Sequence, residues 1–434
     1  MARDMEEEKV LQLIPPAQSE ATTAAAAAAT PSADQAILIS KGTTFIRTCF
    51  NAINSISGVG ILSMPFALSQ GGWLSLALLF LVSILSLYTG LLVQRCMEGD
   101  LLVKTYPDIG ERAFGAKGRV TVSIYLYLTL YLLAVEFLIL EGDNLNKLFP
   151  NKVFRLVGGL ILQGKQAFVL LTALVILPTT WLRSLGVLAY VSIGGVVASV
   201  ALAGCVSWVG AVDGVGFGES TGRLLRLETL PNAVSLFTFG FSAHSVFPTL
   251  CNSMRDRTQF SKVLLIGFLV TSLTYGWTAI VGCLMYGDHT KSPITLNLPV
   301  GRISSKIAIY TTLVNPVTRY AIVITPIANA IEERYIFSTN YSQLLSILMR
   351  TLILVSTVVV ALTVPFFGYI MAFMGSTLSV MGTMLLPCLC YIRIKESGRR
   401  LGLEFMVIVG ILIFGVVVGV VGTCTSVRQI AEHL

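Results

Sequence analysis

Phe50-Asn51-Ala52-Ile53-Asn54-Ser55-Ile56-Ser57-Gly58-Val59-Gly60-Ile61-Leu62-Ser63-Met64-Pro65 starts as an apolar helix and then sets two glycines and a proline where a membrane helix would run on. Two glycines among small polar neighbours weaken a tight helix. Backbone at membrane depth leaves the helix only where protein or a water-filled cavity satisfies its amides and carbonyls. A helix that restarts after Gly60 presents free amides and the positive end of its dipole, which suits a carboxylate. The carbonyls left before the break suit an ammonium group or a cation. A second segment, Phe237-Thr238-Phe239-Gly240-Phe241-Ser242-Ala243-His244-Ser245-Val246-Phe247-Pro248, is interrupted in the same way. Two such breaks far apart point to two related halves around one midplane site, the arrangement of a transporter. The competing reading makes Gly58 and Gly60 close-packing residues at a helix crossing.

Outward from these segments the chain is apolar almost throughout. Of its 434 residues 54% are hydrophobic and 12% charged, and the mean hydropathy is +0.79, too apolar for a soluble fold of this length. At about 20 apolar residues per span, about eleven helices are expected. They lie near 43–69, 72–94, 119–142, 166–183, 187–210, 230–252, 261–286, 303–331, 343–365, 367–392 and 403–426. The fourth contains Pro178 and ends at Arg183, and the eighth carries Arg319 between Pro316 and Pro326. Residues 1–42, with Asp4, Glu6, Glu7 and Glu8, the pair Pro15-Pro16 and an alanine run, read as a disordered acidic tail rather than a signal peptide. Residues 43–426 then form one transmembrane domain, and 427–434 a short tail.

Lysine and arginine set the orientation. With the amino terminus in the cytosol, 19 of the 30 fall on the cytosolic side and 10 on the other, leaving Arg319 inside a span. The short carboxyl tail then faces a lumen or the exterior. The formal charge of +7 is this asymmetry, and no basic stripe with interleaved aromatics suggests a nucleic-acid partner. Most of the eight cysteines lie inside expected spans, so neither a disulfide framework nor a metal site is implied. The three histidines, His244, His289 and His433, form no zinc signature, and neither a nucleophile elbow nor a phosphate-binding loop occurs. The sequence therefore lacks the usual groups of an enzyme, and no cofactor is expected.

The run from Phe50 to Pro65, the loop Tyr106-Pro107-Asp108-Ile109-Gly110-Glu111-Arg112-Ala113-Phe114-Gly115, and the phenylalanine-rich stretch ending in His244 and Pro248 together resemble the amino acid/auxin permease family, most of all its plant vacuolar amino acid transporters. The likeness runs from about Lys41 to the end of the eleventh helix. It implies an all-helical LeuT-type fold of eleven helices, in which helices one to five and six to ten are inverted repeats and helices one and six are broken. It further implies secondary transport of amino acids, driven by protons, in the vacuolar membrane, with the plasma membrane as the alternative. Carried over position by position, the backbone of Ser57, Gly58, Val59, Gly60 and Ile61 would hold the substrate carboxylate and part of its ammonium. Phe239, Gly240, Phe241 and Ser242 would complete the pocket, and the third, sixth and eighth helices would set side-chain preference. Sodium-using relatives have an asparagine where Asn54 stands and a threonine on the eighth helix, where Thr311, Thr312 and Asn315 are the nearest candidates. Sodium coupling therefore stays open, as does an amino acid sensor that binds with little flux.

Proton coupling needs a titratable group near the site, and the spans offer His244 and Glu136. Histidine has an ordinary pKa of about 6.5, suited to a change of charge across an acidic organelle membrane. An ionisable residue inside the membrane is costly and is functional by default. The plainer readings are that His244 bonds carbonyls freed by its kink, and that Glu136 pairs with a neighbouring helix or with Arg319.

Overall fold

Each of the eleven apolar segments expected from the sequence falls on a helix. The structure, a computed structural model, describes residues 42–100, 102–150, 153–155, 161–181, 188–218, 223–335, 342–363, 367–395 and 402–433. The expected disordered tail, apart from Gly42, lies outside the described residues. The first span is α1 (Phe45–Ile56) and α2 (Met64–Gly71), joined by a 3-10 turn over Val59–Ser63 and bent by 41°. The second to fifth spans are α3 (Ser75–Met97), α4 (Tyr106–Leu148), α5 (Gly164–Thr180) and α6 (Leu188–Ala211). The sixth is broken into α7 (Leu230–Gly240) and α8 (Phe247–Ser253), separated by a short 3-10 turn at His244–Val246. Then follow α9 (Phe260–Tyr286), α10 (Ile303–Tyr335), α11 (Ser342–Thr363), the tenth span from α12 (Phe367–Met374) to α13 (Leu386–Ile394), and α14 (Leu403–His433).

Among the described residues nine helices are long and apolar enough to cross a membrane, and ten when the bent first span is counted. The shorter α5 has 17 residues and carries Pro178, so at 1.5 Å per residue it reaches about 26 Å, just under the hydrocarbon thickness. One antiparallel hairpin, β1 (Val153–Arg155) on β2 (Ile161–Gln163), pairs Val153 with Gln163 between the third and fourth spans. Large apolar side chains left exposed, such as Leu269, Leu273 and Trp277 on α9, form the lipid-facing surface.

Three elements depart from the sequence expectation. The third span begins at Tyr106 rather than near 119, because Thr105 and Asp108 form a reciprocal capping box and Pro107 sits in the first turn. Gly115, at φ 69°, then kinks this helix where a side chain would be strained. The tenth span loosens into π turns over Gly375–Ser379 and Met381–Leu385, and the Tyr106 hydroxyl donates to the Gly382 carbonyl at 2.7 Å. Arg350, one of the 19 cations assigned to the cytosolic side, is buried.

The two broken spans run side by side and are tied at both ends. Where α1 begins and α8 ends, the Thr43 amide donates to the Ser253 carbonyl at 2.7 Å, and the Arg255 amide donates to the Thr43 carbonyl at 3.1 Å. Where α2 ends and α7 begins, the Leu74 amide donates to Leu224 at 2.9 Å and the Arg226 amide to Gly71 at 3.2 Å. These main-chain bonds hold two interrupted helices as one antiparallel pair inside the bundle.

Arg350 fastens three other helices. Its Nε donates to Glu332 Oε1 at 2.9 Å, Nη2 to Asn329 Oδ1 at 3.1 Å and Nη1 to the Thr180 carbonyl at 3.3 Å, joining α11, α10 and the end of α5. Removing one member of a buried pair leaves an uncompensated charge. Arg350→Ala is expected to destabilise the fold by about 3 kcal/mol, read as a lower unfolding temperature in detergent; an unchanged temperature would contradict this clamp.

Candidate functional site

The break in the first span can be followed one backbone group at a time. The Ser57 amide still donates to Ile53 at 2.7 Å, closing the last turn of α1. Beyond it the amides of Gly58, Val59 and Gly60 make no backbone hydrogen bond among the described residues. On the other side of the break, carbonyls that a continuous helix would have used are left over, and side chains from other spans reach two of them. Arg319 Nη2 on α10 donates to the Asn54 carbonyl at 3.2 Å. The Tyr275 hydroxyl on α9 stands 3.1 Å from the Ile56 carbonyl and 3.1 Å from the carbonyl of Gly240, the last residue of α7. One phenol therefore serves the open end of both broken helices.

The breaks touch at the same point. A Cβ placed on Gly60 would stand 2.8 Å from Gly240 Cα and 2.9 Å from the Tyr275 hydroxyl, closer than real side chains approach. Gly60 is thus a close-packing residue, as the plainer sequence reading had it. Gly58 is different, because a Cβ there would meet nothing within 4 Å.

The open space beside Gly58 is a small, partly open pocket with about 30 Å³ of enclosed space. Gly58, Val59, Ile61 and Leu62 form one wall, Ala198, Ser199 and Leu202 of α6 a second, and Thr311, Thr312 and Asn315 of α10 the third. Ser57 extends the polar rim, its hydroxyl donating to Ser199 Oγ at 3.2 Å. Thr311 and Thr312 return their hydroxyl protons to carbonyls one turn back, at 2.7 and 2.9 Å, leaving lone pairs for a ligand. Among the described residues no charged side chain lines the space. A wall that includes two residues with unbonded amides, another with hydroxyl and amide side chains, and apolar groups among them suit a small zwitterion.

Of the residues singled out in the sequence, Gly58, Val59, Ile61, Thr311, Thr312 and Asn315 meet at this pocket, with Ser57 at its edge and Gly60 behind its wall. Phe239, Gly240, Phe241 and Ser242 do not line it. Phe241 is fully buried in an aromatic stack, 6.0 Å from the Phe268 ring and 5.3 Å from Tyr275, while Ser242 Oγ donates to the Phe239 carbonyl at 2.7 Å. His244 belongs to the same stack, 4.9 Å from the Phe247 ring. Its Nε2 donates to the Ser86 carbonyl at 3.0 Å and lies 3.0 Å from Thr89 Oγ1, while Nδ1 has no partner among the described residues. Glu136 is fully buried, and neither oxygen has a hydrogen-bond partner among the described residues. It does not pair with Arg319. Asn54 packs its side chain against Gly195 of α6, a position that accepts no Cβ.

Sequence reasoning missed the α6 wall and Tyr275, one tyrosine among 14 with nothing to mark it. Arg319 carried a signal, as a charge inside a span.

Comparison with known proteins agrees with this architecture. The profile of the family described as "Transmembrane amino acid transporter protein" matches residues 41–428. The amino acid transporter AVT1I of Arabidopsis thaliana is 49% identical over 390 residues, 89% of this chain and 95% of that protein. The amino acid transporter AVT1J of the same plant is 48% identical over 388 residues, 89% of this chain and 92% of that one. Among solved structures the inward-facing conformation of Mhp1 superposes with a TM-score of 0.57, covering 91% of this chain and 92% of that one at 12% identity. That likeness shows the fold, the LeuT-type arrangement with broken first and sixth helices.

The two glycines separate packing from pocket. Gly60→Ala is expected to cost about 1–3 kcal/mol through overpacking, while Gly58→Ala should leave stability within about 0.5 kcal/mol. Thermal unfolding of both variants in detergent checks this, and equal losses would contradict it.

Proposed function

The chain belongs to the transmembrane amino acid transporter family, and on that premise we propose that it is a proton-coupled secondary carrier of amino acids, working by alternating access in the vacuolar membrane. The observation that carries the reading is the pocket at the first break. Its unbonded amides face a substrate carboxylate, and the threonine hydroxyls and Asn315 offer oxygens to an ammonium. The absence of a charged lining residue favours an overall neutral zwitterion over an anion or a dication. Family and relatives are transporters, which agrees with the lack of enzyme signatures in the sequence.

Proton coupling is supported by the two ionisable groups already named. Glu136 has no cation or donor within reach among the described residues, and His244 keeps one nitrogen unpartnered beside the sixth-span break. Groups so placed bind or release a proton as water reaches them in one state of the carrier and leaves in the other. The vacuolar location rests on the resemblance to plant vacuolar carriers, and the cytosolic amino terminus on the excess of lysine and arginine on that side. The amino acids carried, within neutral side chains that fit the pocket, follow from uptake.

Proteoliposomes with an imposed pH gradient test the reading. Uptake of labelled neutral amino acids is expected to follow the gradient with sodium absent, and His244→Ala or Glu136→Gln is expected to flatten its pH dependence by about tenfold. Uptake indifferent to the gradient would overturn the coupling, and an unaltered pH profile in both variants would remove these residues from it.

A further inference from the structure

Arg319 has a charge that the proposed function does not use. It lies inside the eighth span, where a charged side chain is costly, so its place calls for a partner. No carboxylate lies within ion-pair distance of it among the described residues. Its recorded bond is to the Asn54 carbonyl, one of the groups released when α1 stops at Ile56. The negative end of the α1 dipole is therefore met by a cation anchored to α10. Gly195 on α6 stands beside the pair: a Cβ there would meet the Asn54 side-chain oxygen first and would come within 3.3 Å of Arg319 Nη2.

Free carbonyls at the end of a half-helix are what a carrier offers to a sodium ion. Here the arginine already occupies that position. Arg319 also falls one helical turn beyond Asn315 and two beyond Thr312, on the same face of α10 that lines the pocket. We propose that Arg319 is a tethered cation that substitutes for a bound monovalent ion at the junction of the first, fifth and eighth spans, so the carrier works without sodium and this residue sets that ion independence. A second cation a few ångströms from the guanidinium would be repelled, and the carbonyl it needs is taken. Arg319 acts as a positioning residue, holding α1 so that the break beside it presents its amides to the pocket. This inference rests on the carrier reading for its meaning, but its primary test does not require transport.

The test is the unfolding temperature of the full chain in detergent, in sodium chloride against choline chloride at equal ionic strength. Wild type is expected to show no sodium-specific shift. Arg319→Gln, which keeps a donor but removes the charge, opens the site to a free cation and is expected to gain a sodium-specific rise of about 2 °C or more. Arg319→Lys restores the charge and should stay indifferent to sodium, which serves as the deciding variant if Arg319→Gln does not fold. Sodium-specific stabilisation of wild type or of Arg319→Lys would overturn the proposal, as would its absence in a folded Arg319→Gln. In proteoliposomes Arg319→Gln should lose uptake about tenfold while Arg319→Lys keeps most of it. A wild type that moves no amino acid would count against the carrier reading and leave the thermal comparison to decide this one.

Discussion

The carbonyls released where α1 and α7 stop are the constraint on which the rest of the structure depends. In hydrocarbon an unsatisfied backbone group costs several kcal/mol, so a break survives only where other spans bring donors to it. Tyr275 supplies one hydroxyl to Ile56 and Gly240, and Arg319 supplies a guanidinium to Asn54. Both side chains come from long, unbroken helices, α9 and α10. The interrupted pair is thereby held against continuous neighbours, and the glycines at positions 60 and 240 let the two breaks approach closely enough to share one phenol.

Satisfaction is one-sided, and that asymmetry gives the site its chemistry. The carbonyl end of the first break is tied down by side chains, whereas the amides of Gly58 and Val59, two residues that line the open pocket, make no backbone hydrogen bond among the described residues. The second break is better closed on its amide side, since Phe241, Ser242 and Ala243 each donate to a carbonyl two to four residues back. It packs behind aromatic rings instead of lining the space. The two interruptions therefore differ in this conformation: residues of the first line the pocket, and the second packs behind it. Main-chain bonds at both ends of the pair, from Thr43 to Ser253 and from Leu74 to Leu224, mean that a movement of one broken helix is transmitted to the other.

Much of this was legible in the sequence, for physical reasons. Glycine and proline inside an apolar run are strong signals because few other residues tolerate a break at membrane depth, so both interrupted spans could be read directly. The capping box at Thr105 and Asp108 leaves a Thr-x-x-Asp spacing that the sequence reading did not use, so the third helix was expected only from about 119. The π turns at Gly375 and Met381 were hidden, since a π turn needs no residue that an α-helix rejects. The α6 wall was hidden too, because Ala198, Ser199 and Leu202 look like any packing face. Tyr275 and Arg319 show the limit most clearly: their roles depend on which carbonyls face them across the bundle, and only the fold supplies that.

The central claim is that the free amides at the first break hold the carboxylate of the transported molecule. A structure of the protein with a neutral amino acid bound tests it most directly. The ligand's carboxylate is expected within about 2.7–3.2 Å of the amides of Gly58 and Val59, its ammonium turned toward α10. A ligand bound elsewhere, with those amides bonded within the chain, would contradict it.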